Sequence, residues 1–334
     1  MRPEELLLPT PRGLYCPPGD FFVDPVRPVD RALVTHGHSD HARSGSGSVL
    51  ATPETLAIMA ARYGPAFAGA TQAARIGETV TIGDARVSFH PAGHVLGSAQ
   101  IAVEANGLRI VVTGDYKREP DPTCAGFQVV ECDVLISEAT FGLPVFRHPD
   151  SRAEIARLID SLALFPHRTH VVGAYALGKA QRVIALIRAA GWDRPIYIHG
   201  ALEALCTLYE EAGIGLGPLI LVRETEGDLA GEIVVAPPGS MTDVWSRRFA
   251  DPVTAFASGW MRVRARARQR GVELPLVISD HADWDDLCRT VVETGCSQLW
   301  VTHGQEDALV HWADTQGIRA RPLRLVGYEE EEPD

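Results

Sequence analysis

The stretch Val34-Thr35-His36-Gly37-His38-Ser39-Asp40-His41 constrains this chain more than any other, because it places three histidines and an aspartate within six residues. The apolar run Ala32-Leu33-Val34 before it reads as the end of a buried strand. Gly37 and Ser39 are small, so the backbone can fold tightly and point several ligand side chains at one spot. Imidazole and carboxylate suit zinc, with manganese or iron as alternatives. The plainer reading is a polar loop of solvated histidines. One metal takes about four ligands, so a metal-binding chain must supply further ligands elsewhere, each expected at a strand end.

Composition narrows the class. The 334 residues suffice for two folded units, and 46% hydrophobic with 22% charged residues is ordinary for a globular protein. The six cysteines are scattered with no C-x-x-C pair, which argues against a disulfide framework or a thiolate zinc site and points to a reducing cytoplasm. Met1-Arg2-Pro3-Glu4-Glu5 lacks the basic and apolar segments of a signal peptide, and no apolar run is long enough to cross a membrane. A net charge of −12 does not advertise nucleic-acid binding, though a local basic patch can still provide it.

Further ligand candidates come in chain order. Short strands are expected around residues 14–16, 21–23 and 32–34, a helix from Pro53 capped by Thr52, and a hairpin around Gly83-Asp84. His94 follows the strand ending at His90 and is flanked by Gly93 and Gly97; its alternative is a structural histidine. Asp115 follows the apolar strand Leu108–Val112, where a carboxylate can bridge two metals or simply cap a turn. Glu138 ends another apolar strand. From Ser151 onward helices and strands alternate to Ala236, which predicts a separate α/β unit with a parallel sheet. It interrupts the first domain, because His281 and His303, each after an apolar strand, come only later.

These motifs resemble the metallo-β-lactamase superfamily. The order H-x-H-x-D-H, glycine-flanked His94, then Thr113-Gly114-Asp115 implies an αββα sandwich with a di-metal site. By that resemblance His36, His38 and His94 hold one metal, Asp40, His41 and His303 the second, and Asp115 both. Glu138, the S-x-H-x-D form around His281 and the H-G-x-E form around His303 are similar to the β-CASP branch of nucleases. Crosslink-repair members of the branch lack a histidine at the third motif, so this chain is closer to the polyadenylation-endonuclease and bacterial types. Ser258-Gly259-Trp260-Met261 followed by arginines and then Ser279-Asp280-His281-Ala282-Asp283-Trp284 resembles the DNA-ligase-associated exonucleases. The resemblance implies a metallo-β-lactamase domain over 1–145 and 274–334 with a β-CASP domain inserted at 146–273. The implied activity is a 5′→3′ DNA exonuclease of DNA repair, with two divalent ions, zinc or manganese, activating the attacking water. A DNA ligase and a helicase of the same pathway are the expected partners. The alternatives are an RNA nuclease of the same branch and a small-ester hydrolase.

The residues also suggest roles. His281 is the candidate general acid, with Glu138 holding its ring and Asp40 counted beside them; a third metal ligand or a phosphate-binding group is the other reading of His281. Lys179, at a helix N-terminus after a strand, and Ser240, in a turn after another, are candidate phosphate contacts or plain turns. Arg262, Arg264, Arg266 and Arg268 recur at every second residue. On a strand they share one face, neighbours about 6–7 Å apart; on a helix, which alanine and arginine favour, they divide between two sides. The strand, closing a hairpin with Leu276–Ile278, is the expectation taken here, and a solvated face paired with acidic residues is the alternative.

Overall fold

The computed structural model describes residues 1–323, so the acidic run Glu329–Glu332, expected to lack structure, lies outside the described residues. The described residues divide into two compact units, one of residues 1–147 and 281–323, the other of 148–280.

The first unit holds two sheets. One has six strands in sequence order from Leu8–Thr10 to Ser48–Ala51 and Ala70–Ala73. The other has seven, ordered Arg319–Pro322, Gln298–Gly304, Val134–Ala139, Leu108–Val112, Ala99–Ala105, Ala85–Pro91 and Thr79–Ile82. The apolar runs alternate between two cores, as a sheet covered on both faces requires. Ile110, Val112, Val134 and Ile136 join Val23, Leu33 and Leu50 of the other sheet in one buried cluster. Val111 and Leu135, one residue out of step, pack instead with Trp284, Leu287 and Leu309 of the helices Trp284–Glu293 and Glu306–Thr315. The outer face of the first sheet is covered by the helix Pro53–Tyr63 through Met59. The layers are therefore helix, sheet, sheet, helix. The helix Pro53–Tyr63 starts where Thr52 accepts a hydrogen bond from the Thr55 amide, and the expected hairpin pairs Thr79–Ile82 with Ala85–Pro91.

The second unit is one parallel sheet of six strands, ordered Leu219–Leu221, Ile196–Ile198, Ile233–Ala236, His170–Gly173, Val253–Ala257 and Leu274–Leu276. Helices Ser151–Leu164, Lys179–Ala189 and Glu203–Glu211 alternate with its first strands; the Asp150 carboxylate caps the first of these by accepting from the Arg152 amide at 2.8 Å.

Three expectations need correction. The return to the first unit falls at His281 and not at residue 274, because Leu274–Leu276 pairs with Val253–Ala257 in the second unit's sheet. The strand also stops at Leu276. The arginine run is not a strand: Gly259–Arg262 is a short 3₁₀ turn and Arg264–Gln269 an α-helix. The strands flanking this run are parallel neighbours. A hairpin cannot join parallel strands, and the crossover they need takes a helix readily. Arg264 and Arg268 therefore lie one helical turn apart, and Ala267 is the residue that turns inward.

Leu135 is fully buried between the seven-stranded sheet and its helices. Leu135→Ala is expected to cost about 2–5 kcal/mol, read as a lower urea midpoint at unchanged slope.

Candidate metal centre

Strands that run the same way deliver their ends to the same edge. Phe21–Val23 and Arg31–Leu33 are parallel neighbours in one sheet, and Leu108–Val112, Val134–Ala139 and Gln298–Gly304 are parallel neighbours in the other. The residues just past or at these ends are Asp24, the histidine loop, Asp115, Glu138 and His303. His94 arrives by the turn after Ala85–Pro91. Glycine permits the close approach at Gly114, whose φ is +55° and where a Cβ would stand 2.6 Å from Thr35 Oγ1.

The distances match a metal shell. His38 Nδ1 is 3.2 Å from His36 Nε2 and 3.0 Å from His94 Nε2. Asp115 Oδ2 lies 3.4 Å from His36 Nε2, 3.8 Å from His94 Nε2 and 3.6 Å from His41 Nε2. Tetrahedral ligands about 2.1 Å from zinc stand about 3.4 Å apart, so this crowding of ring nitrogens is ligand spacing. The ligand atoms of His36, His38, His94 and Asp115 all lie within 4.8 Å of one another, as do those of His41, Asp115 and His303. Asp115 is common to both groups, and Asp40 Oδ2 is 3.5 Å from His41 Nε2. The donor set fits two divalent ions.

His303 reaches the centre through a bulge. Glu138 pairs with Thr302 and Ala139 with Gly304, so His303 is the extra residue, held at φ +57°. A bulge re-aims a side chain, and here its ring comes to 5.0 Å from that of His41. His303 thus sits within the strand's last residues, where a position just beyond it was expected.

Charge is balanced inside the cluster. Burial pulls the His41 imidazole down, but Asp40, Asp115 and Asp24 outweigh it and hold it at about 10. Burial pushes the Asp115 carboxyl up, yet His41, His36 and His281 keep it well below the usual carboxylate range. Burial, with the charge of His41, lowers His303 to about 4, leaving a neutral ring suited to coordination.

One residue of the site was missed in the sequence. Asp24, just past the strand Phe21–Val23 and before Pro25, is buried and accepts from Thr35 N at 2.8 Å and Thr35 Oγ1 at 2.6 Å; its Oδ2 is 2.8 Å from His41 Nδ1. Thr35 Oγ1 in turn lies 3.1 Å from His36 Nδ1. Asp24 thereby orients one histidine of each group. Its signal was its place past a strand adjacent to the one that carries the histidine loop.

A histidine–carboxylate pair lies beside the candidate ligands. His281 Nδ1 is 3.0 Å from Glu138 Oε2, while Glu138 Oε1 accepts from the Tyr116 amide at 2.7 Å. The His281 ring is 4.7 Å from that of His94. Glu138 is 1% exposed and the His281 side chain 20%, so the carboxylate is sealed in while the histidine side chain stays partly exposed. Asp283 serves as the N-cap of Trp284–Glu293, accepting from the Asp286 amide.

Lys179, Ser240 and Arg262, Arg264, Arg266 and Arg268 belong to the second unit. Lys179 is not a phosphate contact: it is 3% exposed and its ammonium pairs with Asp280. Ser240 lies in the 3₁₀ turn Pro238–Met241, its hydroxyl 3.4 Å from His199 Nε2. The four arginines are exposed.

A helix–sheet–sheet–helix unit with a two-group histidine and aspartate centre defines a metal-dependent hydrolase fold. Residues 21–174 match the family model of the metallo-beta-lactamase superfamily. The fold is that of the metallo-beta-lactamase superfamily, with an inserted parallel α/β unit of the β-CASP kind. A probable DNA ligase of Opitutus terrae is 30% identical over 94% of this chain and 32% of its own length. An endoribonuclease YSH1 of Gibberella zeae is 30% identical over 61% of this chain and 30% of its own length. This chain thus spans about a third of either relative. A solved structure of a protein of unknown function from Enterococcus faecalis shares the fold, with TM-score 0.57 and 14% identity over 87% of this chain and 78% of that one. No helix among the described residues is long and apolar enough to cross a membrane.

Asp24→Asn should lower metal affinity about 10–100-fold in a chelator competition, without loss of secondary structure. Asp115→Ala should loosen both ions; two ions still held at unchanged affinity would exclude Asp115 as the shared ligand.

Proposed function

We propose that this chain is a metal-dependent phosphodiesterase that degrades DNA from an end, in the 5′→3′ direction, within DNA repair. The observation that carries it is the Glu138–His281 pair beside the ligand cluster, with His281 Nδ1 3.0 Å from a buried carboxylate. A small ester with a good leaving group needs no such proton donor, whereas a departing strand end does.

His36, His38 and His94 would hold one ion, Asp40, His41 and His303 the other, and Asp115 both. Two divalent ions, zinc or manganese, supply Lewis acidity when bound, lowering the pKa of water and neutralising charge on phosphoryl oxygens. Asp24 and Thr35 keep the His41 and His36 rings in their orientations. With Nδ1 turned to Glu138, His281 Nε2 is the nitrogen that hands a proton to the leaving oxygen.

DNA as substrate is supported by the relative named a probable DNA ligase, whose similarity runs over 94% of this chain; a DNA ligase is the partner this suggests, and a helicase of the same pathway is proposed beside it. The arginines add to it. Among the described residues no carboxylate lies within ion-pair distance of Arg262, Arg264, Arg266 or Arg268, in a chain of net charge −12. Arginine suits phosphate through its planar fork, and these four are the proposed strand contacts, with the Ser240 turn a further candidate. The second reading is an RNA endonuclease, favoured by the YSH1 relative's name.

End-labelled DNA and RNA, single-stranded and duplex, incubated with zinc or manganese, decide between these by product length. His281→Ala should retain both ions and lose about two to four orders of magnitude in rate on DNA, but far less on a nitrophenyl phosphodiester. Equal losses on both substrates exclude the proton-donor role. Changing Arg264 and Arg268 together to Ala should weaken DNA binding and flatten its salt dependence by up to about 0.7 for each phosphate no longer neutralised on a single strand; an unchanged slope would make them a solvated face.

A further inference from the structure

The crossover of the second unit carries a feature that charge alone does not explain. Ser258 Oγ accepts from the Trp260 amide at 3.3 Å and starts the turn Gly259–Arg262. Met261 and Ala267 are buried against Phe256 and anchor the segment from below. Above them the guanidinium carbon of Arg266 lies 4.0 Å from the centroid of the Trp260 ring. That contact is stacking distance, and the indole is the only partner of the Arg266 side chain among the described residues. Arg266 could instead have extended into water or reached one of the 43 acidic residues. Arg262 stands four residues before it, and Arg264 and Arg268 two on either side.

A guanidinium is flat and weakly hydrated, and it stacks on aromatic faces. The guanidinium carbon of Arg266 sits over the indole while the residue as a whole is exposed. Unstacked nucleobases stack on such planes, and they do so with little sequence preference. In a duplex the base faces are covered by their neighbours, whereas a single strand exposes them. We propose that the Trp260–Arg266 stack is a base-stacking post for single-stranded nucleic acid, with Arg262, Arg264 and Arg268 meeting the flanking phosphates. This inference rests on the phosphodiesterase assignment above and adds strandedness to it.

The test uses the full chain with divalent ions removed by EDTA, so that nothing is cut. Anisotropy measures its affinity for labelled oligo-dT, for an abasic strand of the same length, and for a duplex. Arg266→Lys keeps the charge and loses the plane. It should weaken oligo-dT binding about five- to thirty-fold and abasic binding less than about twofold. Trp260→Leu, which removes the support under the guanidinium, should give the same pattern. Unchanged oligo-dT affinity in Arg266→Lys, an equal loss on the abasic strand, or tighter binding of duplex than of oligo-dT by the unmodified protein would each overturn the proposal. Hydrolysis of bis(p-nitrophenyl) phosphate by the unmodified, metal-restored protein separates the two claims. If it hydrolyses the ester but shows no base-dependent loss in the variants, only the stacking post fails. If it cleaves neither the ester nor DNA, the phosphodiesterase assignment fails.

Discussion

Asp115 is the group on which the rest of the centre depends. Its Oδ2 stands within 3.4–3.8 Å of three imidazole nitrogens, from His36, His41 and His94. His36 and His41 share one loop, His94 arrives from a second turn, and Asp115 comes from a third strand end close by. Burial disfavours a lone carboxylate, and it equally disfavours a charged imidazole. Placed together they stabilise one another, so a cluster of ionisable groups can persist at the edge of two apolar sheets. Asp24 repeats the device on the far side of His41, at 2.8 Å, and extends it through Thr35 to His36.

The apolar sheets make this possible by their strand directions. Parallel pairing of Leu108–Val112, Val134–Ala139 and Gln298–Gly304 brings Asp115, Glu138 and His303 to one edge although the last is far along the chain. The intervening second unit leaves that register intact. It closes its own sheet with Leu274–Leu276, and only at His281 does the chain rejoin the first unit. His281 thus meets Glu138 without belonging to a strand, which frees its ring to be set by the carboxylate.

Periodicity served well where each face had a fixed environment. The alternation in Leu108–Val112 and Val134–Ala139 places successive residues in two different cores, and the helix Ser151–Leu164 begins at its cap, Asp150. The same two-residue period misled in Arg262–Arg268, because alternating arginine and alanine describes composition as much as geometry. The parallel neighbours on either side decided the matter, by requiring a crossover. Lys179 looked like an anion contact from its place after a glycine, and the partner that occupies it, Asp280, is about a hundred residues away.

By itself the sequence determined the ligand types, the apolar strands that present them and the presence of two α/β units, since these rest on local spacing and side-chain chemistry. The tertiary structure alone decided which aspartates hold which rings, that a bulge aims His303 at His41, and that Arg266 lies over the Trp260 ring. Those outcomes depend on strand register, on burial and on groups distant in the chain, and no local pattern encodes them.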